Sequence, residues 1–563
     1  MGDVYLLDYG AGNVRSLVNA VHKLGYTLKT IDSAADFDKA EKILFPGVGE
    51  FGHAMRSLEA KGFVAPLKAY LQSGRPFFGI CVGMQTLFEG SEEAPQAHGL
   101  GVIPGRAKCF DRTTKTVPHI GWNRLDLRKA LPQDPSGAQL ANTLGVDETE
   151  RYYFVHSFAA PFDEVQHRPY VLATTRYGDE TFVSAVQYGR ILGTQFHPEK
   201  SGPAGLRLIQ AFLAADPTAP CILPANSADV IYRQPPTQQS DGFTTRIIAC
   251  LDVRDNDQGD LVVTKGDQYD VRERDTAAGD VRNLGKPVEL AETYYRQGAD
   301  EITFLNITSF RNVPMQDLPM LEVLRRASEN IFVPLTVGGG IRDVTDPDGR
   351  HYSALAVAGA YFRSGADKVS IGSDAVYAAE AYWRDGQQLT GTTAIEAIAN
   401  AYGAQAVVIS VDPRRVYVAD PADTPHHTVP TQYRGPNGEQ YCWYQCTVKG
   451  GREGRDLDVR QLVVACQALG AGEILLNCMD RDGTNAGYDL ELIRDVKQAV
   501  TIPVIASSGA GHPAHFAEVI DATGVEATLA AGIFHRKEVP IATVKEYLTT
   551  RGYAVRPTST NLD

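Results

Sequence analysis

RIIACLDV at 246–253 opens a series of short apolar runs, each followed by a glycine-rich loop and then a helical pattern. The others are EITFLNIT (301–308), FVPLTVGG (332–339), KVSIGS (368–373), AVVISVD (406–412), EILLNCMD (473–480), PVIASSG (503–509) and ATLAAG (527–532). Strands that alternate with helices build a parallel sheet. Eight such strands over about 300 residues have the count and length of a (β/α)8 barrel, whose chemistry sits at the C-terminal ends of its strands.

The same order recurs within the barrel. RIIACLDV is similar to AVVISVDP, GADEITFLNIT to GAGEILLNCMD, LTVGGGIRD to IASSGAGHP, and GADKVSIGS to VEATLAAGI. Four pairs in one order, offset by roughly 160–170 residues, predict two half-barrels of four βα units each. The polar, turn-rich stretches 346–361 and 413–455 read as one insertion in each half.

Upstream, 216–243 is rich in Pro, Gln, Ser and Asp and has no clear period, so it reads as a linker before a barrel domain of 244–555. The first 215 residues form a second α/β domain. VYLLD (4–8), KILFPG (42–47) and FFGIC (77–81) read as buried parallel strands, with helices over 13–24 and 83–88. YYFVHSF (152–158), FVSAVQYG (182–189) and ILGTQFHP (191–198) alternate more and predict antiparallel or mixed strands at one side of that sheet.

A chain of 563 residues needs more than one core. Its 43% apolar and 22% charged residues are ordinary for globular domains. A formal charge of -14 argues against broad binding to nucleic acid or to membrane surfaces. No apolar run approaches the ~20 residues of a membrane helix. MGDVYLLDYG lacks a signal peptide's basic and apolar regions, and Gly2 lacks the flanking residues of a myristoylation site. Eight scattered cysteines, with Cys442 and Cys446 close but no second pair at ligand spacing, predict reduced thiols; neither metal nor cofactor is expected. The expected location is cytoplasmic, or plastid if a transit peptide has been removed.

Three short segments of the first domain carry chemistry. GICVG (79–83) puts Cys81 on a Gly-X-Cys-X-Gly turn between strand and helix, where the sulfur is reachable and the helix N-terminus favours a thiolate. TQFHPEKS (194–201) supplies His197 as a base and Glu199 to fix its tautomer. FPGVGEFG (45–52) can turn the N–H groups around Gly47, Val48 and Gly49 towards an oxyanion. In this order the segments resemble a class I, triad-type glutamine amidotransferase domain. The resemblance implies hydrolysis of glutamine through a γ-glutamyl thioester on Cys81. It also places Gln85 on the substrate-binding loop and Lys200 near the face from which ammonia leaves.

In the barrel, Asp252 ends the first strand and Asp412 the fifth, half a turn apart, which suits a general acid and a general base. VGGG (337–340) and SIGS (370–373) in one half match SSGAG (507–511) and AAG (530–532) in the other. Two symmetry-related glycine sets predict two phosphates and an elongated bis-phosphate substrate. Arg246, Glu301, Lys368 and Glu473 begin strands one, two, four and six, and predict a salt-bridged ring at the barrel floor that gates ammonia. RIIACLDV, VVTKGDQ, LTVGGGIRD, GADKVSIGS, SVDPRR, LLNCMDRDGTNAGYD and IASSGAG together resemble the cyclase of the imidazole glycerol phosphate synthases; with the fused glutaminase, the chain is similar to the single-polypeptide fungal and plant form.

That resemblance implies that ammonia attacks the ribulosyl-formimino substrate PRFAR to give imidazole glycerol phosphate and an aminoimidazole carboxamide ribotide. Asp252 and Asp412 match the acid–base pair, Lys265 a lysine of the loop after the first strand, and Asp482, Gly483 and Thr484 a substrate loop. Gly339, Gly340, Gly372, Ser373, Ser508, Gly509, Gly511, Ala531 and Gly532 would face phosphates, and Asp367 would make an interdomain contact. Gly372 and Ser373 depart from the Asn-Thr pair of many bacterial members. Glutamine and PRFAR are the expected partners of a chain that works alone. Two other readings compete: a different glutamine-dependent enzyme acting on a bis-phosphate sugar, and a ligand-binding regulatory scaffold.

Overall fold

The structure is a computed structural model that describes residues 3–10, 12–219, 221, 230–234, 241–255, 261–264, 286–307, 319–347 and 349–558. The first domain is built on an eight-stranded sheet in the order Leu28–Thr30, Val4–Leu6, Lys42–Gly47, Phe77–Cys81, Ile191–Thr194, Glu180–Tyr188, Val171–Tyr177 and Asp126–Leu127. The first five strands are parallel and the last three antiparallel, so the mixed side expected from the alternating segments is present. One of those segments lies elsewhere. Tyr152–His156 leaves the main sheet and pairs with His119–Asn123 in a two-stranded ribbon.

KILFPG and FFGIC are buried along their whole length, which is why they read as continuous apolar runs. Lys42 is the exception in charge, and its place has a cause. Its ammonium bonds to the carbonyls of Phe212, Leu213 and Ala215 at 3.1, 2.5 and 2.6 Å, capping the C-terminal end of the helix Gly202–Ala214.

The second domain is a closed barrel. Arg246–Asp255, Glu301–Asn306, Leu335–Gly338, Lys368–Ile371, Val407–Val411, Glu473–Asn477, Val504–Ser507 and Ala527–Ala530 pair in parallel in that order. The last strand pairs back to the first, Arg246 opposite Ala527. Inside, Ile248, Cys250, Val408, Leu475, Ile505, Ala527 and Leu529 form an apolar layer separate from the main core. That layer divides a charged floor from a polar mouth.

Two expected insertions change on inspection. In the first half, a hairpin of Val344–Thr345 and His351–Tyr352 is the only extra piece seen among the described residues of 346–361, because the rest is the helix Ala354–Ser364 that follows the third barrel strand. Its pattern ALAVAGAYF is apolar on the core side and is not turn-like. In the second half, 413–455 is an ordered antiparallel sheet of Pro413–Val418, Thr428–Pro430, Tyr441–Val448 and Glu453–Asp458. The run YCWYQCTV has the aromatic and β-branched content of a half-buried strand, and it forms the centre of that sheet.

The described parts of the linker lie on the first domain. Ile231–Tyr232 pairs with Lys129–Ala130, and Phe243 packs against His119 and Tyr177. The domains meet through the barrel floor. Helix Arg15–Lys23 lies along helix Pro319–Asn330, Asn19 donating to Ser328 at 3.0 Å. Trp122 donates from its indole to the Asp300 carbonyl at 3.1 Å, and the Arg556 guanidinium stacks on its ring at 4.2 Å.

Candidate active sites on the two domains

Cys81 ends its strand with φ 53° and ψ −109°, a left-handed turn that few non-glycine residues adopt. The turn is possible because its neighbours are small. A Cβ on Gly83 would come within 2.1 Å of the Phe45 carbonyl oxygen, so the helix Val82–Gln85 can start against the adjacent strand only with glycine there. Gly47 pairs in register with Cys81, which sets Val48 and Gly49 beside the sulfur. Ile191–Thr194 runs parallel on the other side and delivers His197 and Glu199.

His197 Nδ1 lies 2.7 Å from Glu199 Oε1, both side chains buried. Burial alone would lower the basicity of this imidazole. The Glu199 carboxylate and the Cys81 sulfur outweigh it, and His197 holds its proton well above the ordinary range. An imidazolium beside the sulfur stabilises a thiolate. The three residues expected to act together therefore stand together.

Other residues of this centre escaped the sequence reading. Gln195 donates to the Cys81 sulfur at 3.5 Å. Tyr9 donates to the Val48 carbonyl at 3.0 Å and so anchors the loop of Gly47, Val48 and Gly49. Glu93 accepts from Phe51 N at 2.9 Å, and burial pushes its carboxyl up to about 7. Gln85 is buried at the end of the helix Val82–Gln85, its amide given to the Phe158 carbonyl at 2.8 Å and to Gln195 Oε1 at 3.1 Å.

The triad lies close to the barrel floor. Lys200, directly after Glu199, forms an ion pair with Asp367 at 2.7 Å, and Asn13 donates to the other Asp367 oxygen at 2.8 Å. The next residue is Lys368 of the floor. There Arg246 contacts Glu301 at 2.7 Å, Lys368 contacts Glu301 at 2.7 Å and Glu473 at 2.6 Å, and Arg246 closes the ring on Glu473. All four side chains are buried. Tyr153 joins the two centres. Its carbonyl accepts from His197 N at 2.9 Å, while its buried side chain lies in the field of Glu301, Arg246, Glu473 and Asp367.

At the mouth a cavity of about 730 Å³ is lined by Asp252 and Asp412 from opposite strands. Burial raises the Asp412 carboxyl, opposed by the hydrogen bond from Asn477 Nδ2 at 2.9 Å. Asn477 also accepts from Ser508 and, at 3.3 Å, from Ser507, tying the sixth and seventh strands together; the sequence reading passed over it as strand. Asp482, Gly483, Thr484, Ser508, Gly509, Ala531 and Gly532 line the same cavity. A Cβ on Gly509 would meet the Gly487 carbonyl at 2.2 Å, so this glycine also lets two loops of the mouth pack.

Gly339, Gly340, Gly372, Ser373 and Gly511 lie outside that lining. The sheet of 413–455 explains part of this. Its Lys449 N donates to Ser373 Oγ at 3.0 Å, and Arg414, Gly450, Gly451 and Arg452 occupy the wall on that side. Lys265 lies outside the described residues.

A cysteine, histidine and glutamate gathered at the end of a mixed sheet, close to the charged floor of a closed barrel, define a glutamine amidotransferase fused to a barrel enzyme. Residues 5–215 match the family model "Glutamine amidotransferase class-I" and residues 246–540 the model "Histidine biosynthesis protein". "Imidazole glycerol phosphate synthase hisHF" of Emericella nidulans is 57% identical over 99% of this chain and 99% of its own. The Schizosaccharomyces pombe protein of that name is 58% identical over 98% and 99%. An Arabidopsis thaliana relative, named as chloroplastic, is 52% identical over 98% of this chain and 89% of its own. The chain belongs to the imidazole glycerol phosphate synthase family, in the form that joins a glutamine amidotransferase and a cyclase of histidine biosynthesis in one polypeptide.

Proposed function

We propose that the first domain releases ammonia from glutamine at Cys81 and that the ammonia crosses the barrel floor to react with PRFAR between Asp252 and Asp412. The observation that carries this reading is Tyr153. The backbone of Tyr153 bonds to His197, and its buried phenol lies within the electrostatic reach of Glu301, Arg246 and Glu473, so one residue links the nitrogen-releasing site to the barrel floor.

In the glutaminase step the Cys81 thiolate attacks the side-chain carbonyl carbon of glutamine. The charge moves to oxygen, where N–H groups of the loop of Gly47, Val48 and Gly49 accept it. His197 gives its proton to the departing nitrogen, and ammonia leaves a γ-glutamyl thioester. His197 then takes a proton from water, which attacks the thioester and frees glutamate. Glu199 holds the imidazole in orientation through both steps.

Lys200, with Asp367, marks the face from which ammonia leaves, and Arg246, Glu301, Lys368 and Glu473 form the gate. As seen, every charge in that ring is paired, which is a closed state. Beyond it, Asp412 with its raised carboxyl suits the acid and Asp252 the base. Ser508, Gly509, Ala531 and Gly532 suit one phosphate, and the loop of Gly372 and Ser373, joined to Lys449, suits the other. Products are imidazole glycerol phosphate and the carboxamide ribotide. Eight cysteines without a disulfide among them fit a reducing compartment, the cytosol or a plastid.

Glutaminase turnover measured with and without PRFAR tests the reading. Because Asp367 and the floor ring connect the sites, PRFAR should raise turnover by roughly 5–150-fold or more. Equal turnover in both conditions would remove the coupling.

A further inference from the structure

A buried chain of hydrogen bonds ends at the Cys81 sulfur, and its direction is fixed from the far end. The Phe158 carbonyl can only accept. It receives Gln85 Nε2 at 2.8 Å, which assigns the donor side of the Gln85 amide. Gln85 Nε2 also reaches Gln195 at 3.1 Å, so the Gln195 atom facing it must be the carbonyl oxygen. What remains of the Gln195 amide is its NH2 group, and that group stands 3.5 Å from Sγ.

A second branch shares the Phe158 carbonyl. His156 Nδ1 lies 3.0 Å from the Phe158 carbonyl and must carry a proton. Burial keeps His156 and His119 neutral, so His156 Nε2 is an acceptor, and His119 Nδ1 donates to it at 3.2 Å. His119 Nε2 then accepts from Asn123 Nδ2 at 3.4 Å, an atom whose donor character is set by its bond to the Arg176 carbonyl at 3.0 Å. Every donor and acceptor along both branches is consistent, and no amide can flip without breaking a buried bond.

We propose that Gln195 is a catalytic group of the glutaminase centre, donating an N–H to the Cys81 sulfur, and that Gln85 is the positioning residue that turns this donor towards it. The sulfur then has two donors, the His197 imidazolium and the Gln195 amide. A thiolate accepts hydrogen bonds far better than a thiol, so a fixed donor favours the reactive form. In deacylation the same donor receives the charge that returns to sulfur as its bond to carbon breaks. The inference rests on Cys81 being the nucleophile.

The test uses the full chain. Gln195→Glu replaces the donor by an acceptor. It should lower kcat for glutamine on the order of 10-fold or more and slow iodoacetamide alkylation of Cys81, followed at its peptide by mass, by a similar factor. KM for glutamine should stay within about twofold, since the change acts on the sulfur. Gln195→Met removes the donor without adding charge and covers the case in which a buried carboxylate unfolds the domain. Gln85→Glu should slow alkylation too, because it forces the Gln195 amide to turn, although Gln85 does not touch sulfur. A thermal melting transition of the first domain like the parent's, followed in each full-length preparation, reports an intact fold there. If both Gln195 variants alkylate and turn over as the parent while Cys81→Ala is inert, the inference is wrong and the nucleophile stands. If Cys81→Ala still hydrolyses glutamine, the nucleophile falls and the inference with it.

Discussion

Cys81→Ala should abolish imidazole glycerol phosphate synthesis from glutamine and leave synthesis from ammonium within about twofold of the parent. In the proposed mechanism the Cys81 thiolate is the group that bonds to substrate carbon. His197, held by Glu199, serves there as the proton carrier and not as the nucleophile. Loss of a triad nucleophile costs on the order of 10³-fold or more, the remainder coming from binding and the oxyanion site. The barrel does not depend on the thiol. Its cavity opens at the far end from the floor, and ammonium added to the solvent reaches the mouth directly. Loss of both activities in a folded variant would contradict separate sites.

Asp252→Asn and Asp412→Asn should each stop ring closure with either nitrogen source, by about 10²–10⁴-fold, the scale of a lost general acid or base. Asparagine keeps the shape of the side chain and its reach into the cavity, so substrate binding should change little. At Asp412 the amide keeps an oxygen that can accept from Asn477 Nδ2, so the bonds of Asn477 to Ser507 and Ser508 should survive and the loss should report proton transfer alone. Glutamine hydrolysis should persist in both. Wild-type synthesis from ammonium in either variant would remove that carboxylate from the acid–base pair.

The parts of this molecule that could be read from the chain are those that a local pattern fixes. Buried parallel strands are continuous apolar runs, and FFGIC is found at the residues expected. Strand ends in the barrel carry their chemistry at regular positions, which exposed Asp252 and Asp412, and the four charged strand starts meet as a ring. What the chain hid depends on long-range pairing. Tyr152–His156 has the alternation of a sheet-edge strand, but its partner is His119–Asn123, with Tyr152 opposite Asn123 and His156 opposite His119, in a ribbon that no local pattern announces. Polar, turn-rich content marked 413–455 as an insertion and hid its order: the Arg415 side chain is buried against Asp489 and stacked on Tyr433, so that charge helps hold a sheet together. Gln195 sat in a segment read for its His and Glu, and its role appears only when Gln85, over a hundred residues away, is seen beside it. The first-half glycines were read as phosphate loops by symmetry with the second half, and there the sheet of 413–455 adds Lys449, whose N–H bonds to Ser373, a contact that no local pattern announces.

Isotope competition tests the central claim, passage of ammonia inside the molecule, most directly. The parent enzyme is given glutamine labelled with ¹⁵N in the side-chain amide, PRFAR, and an excess of unlabelled ammonium in the solvent, and the label in the imidazole ring is read by mass. Passage from Cys81 through the ring of Arg246, Glu301, Lys368 and Glu473 predicts imidazole glycerol phosphate that carries the glutamine label nearly undiluted. Product whose label falls to the ratio of the bulk ammonium pool would show that ammonia escapes to solvent before it reaches Asp252 and Asp412, and would contradict the account.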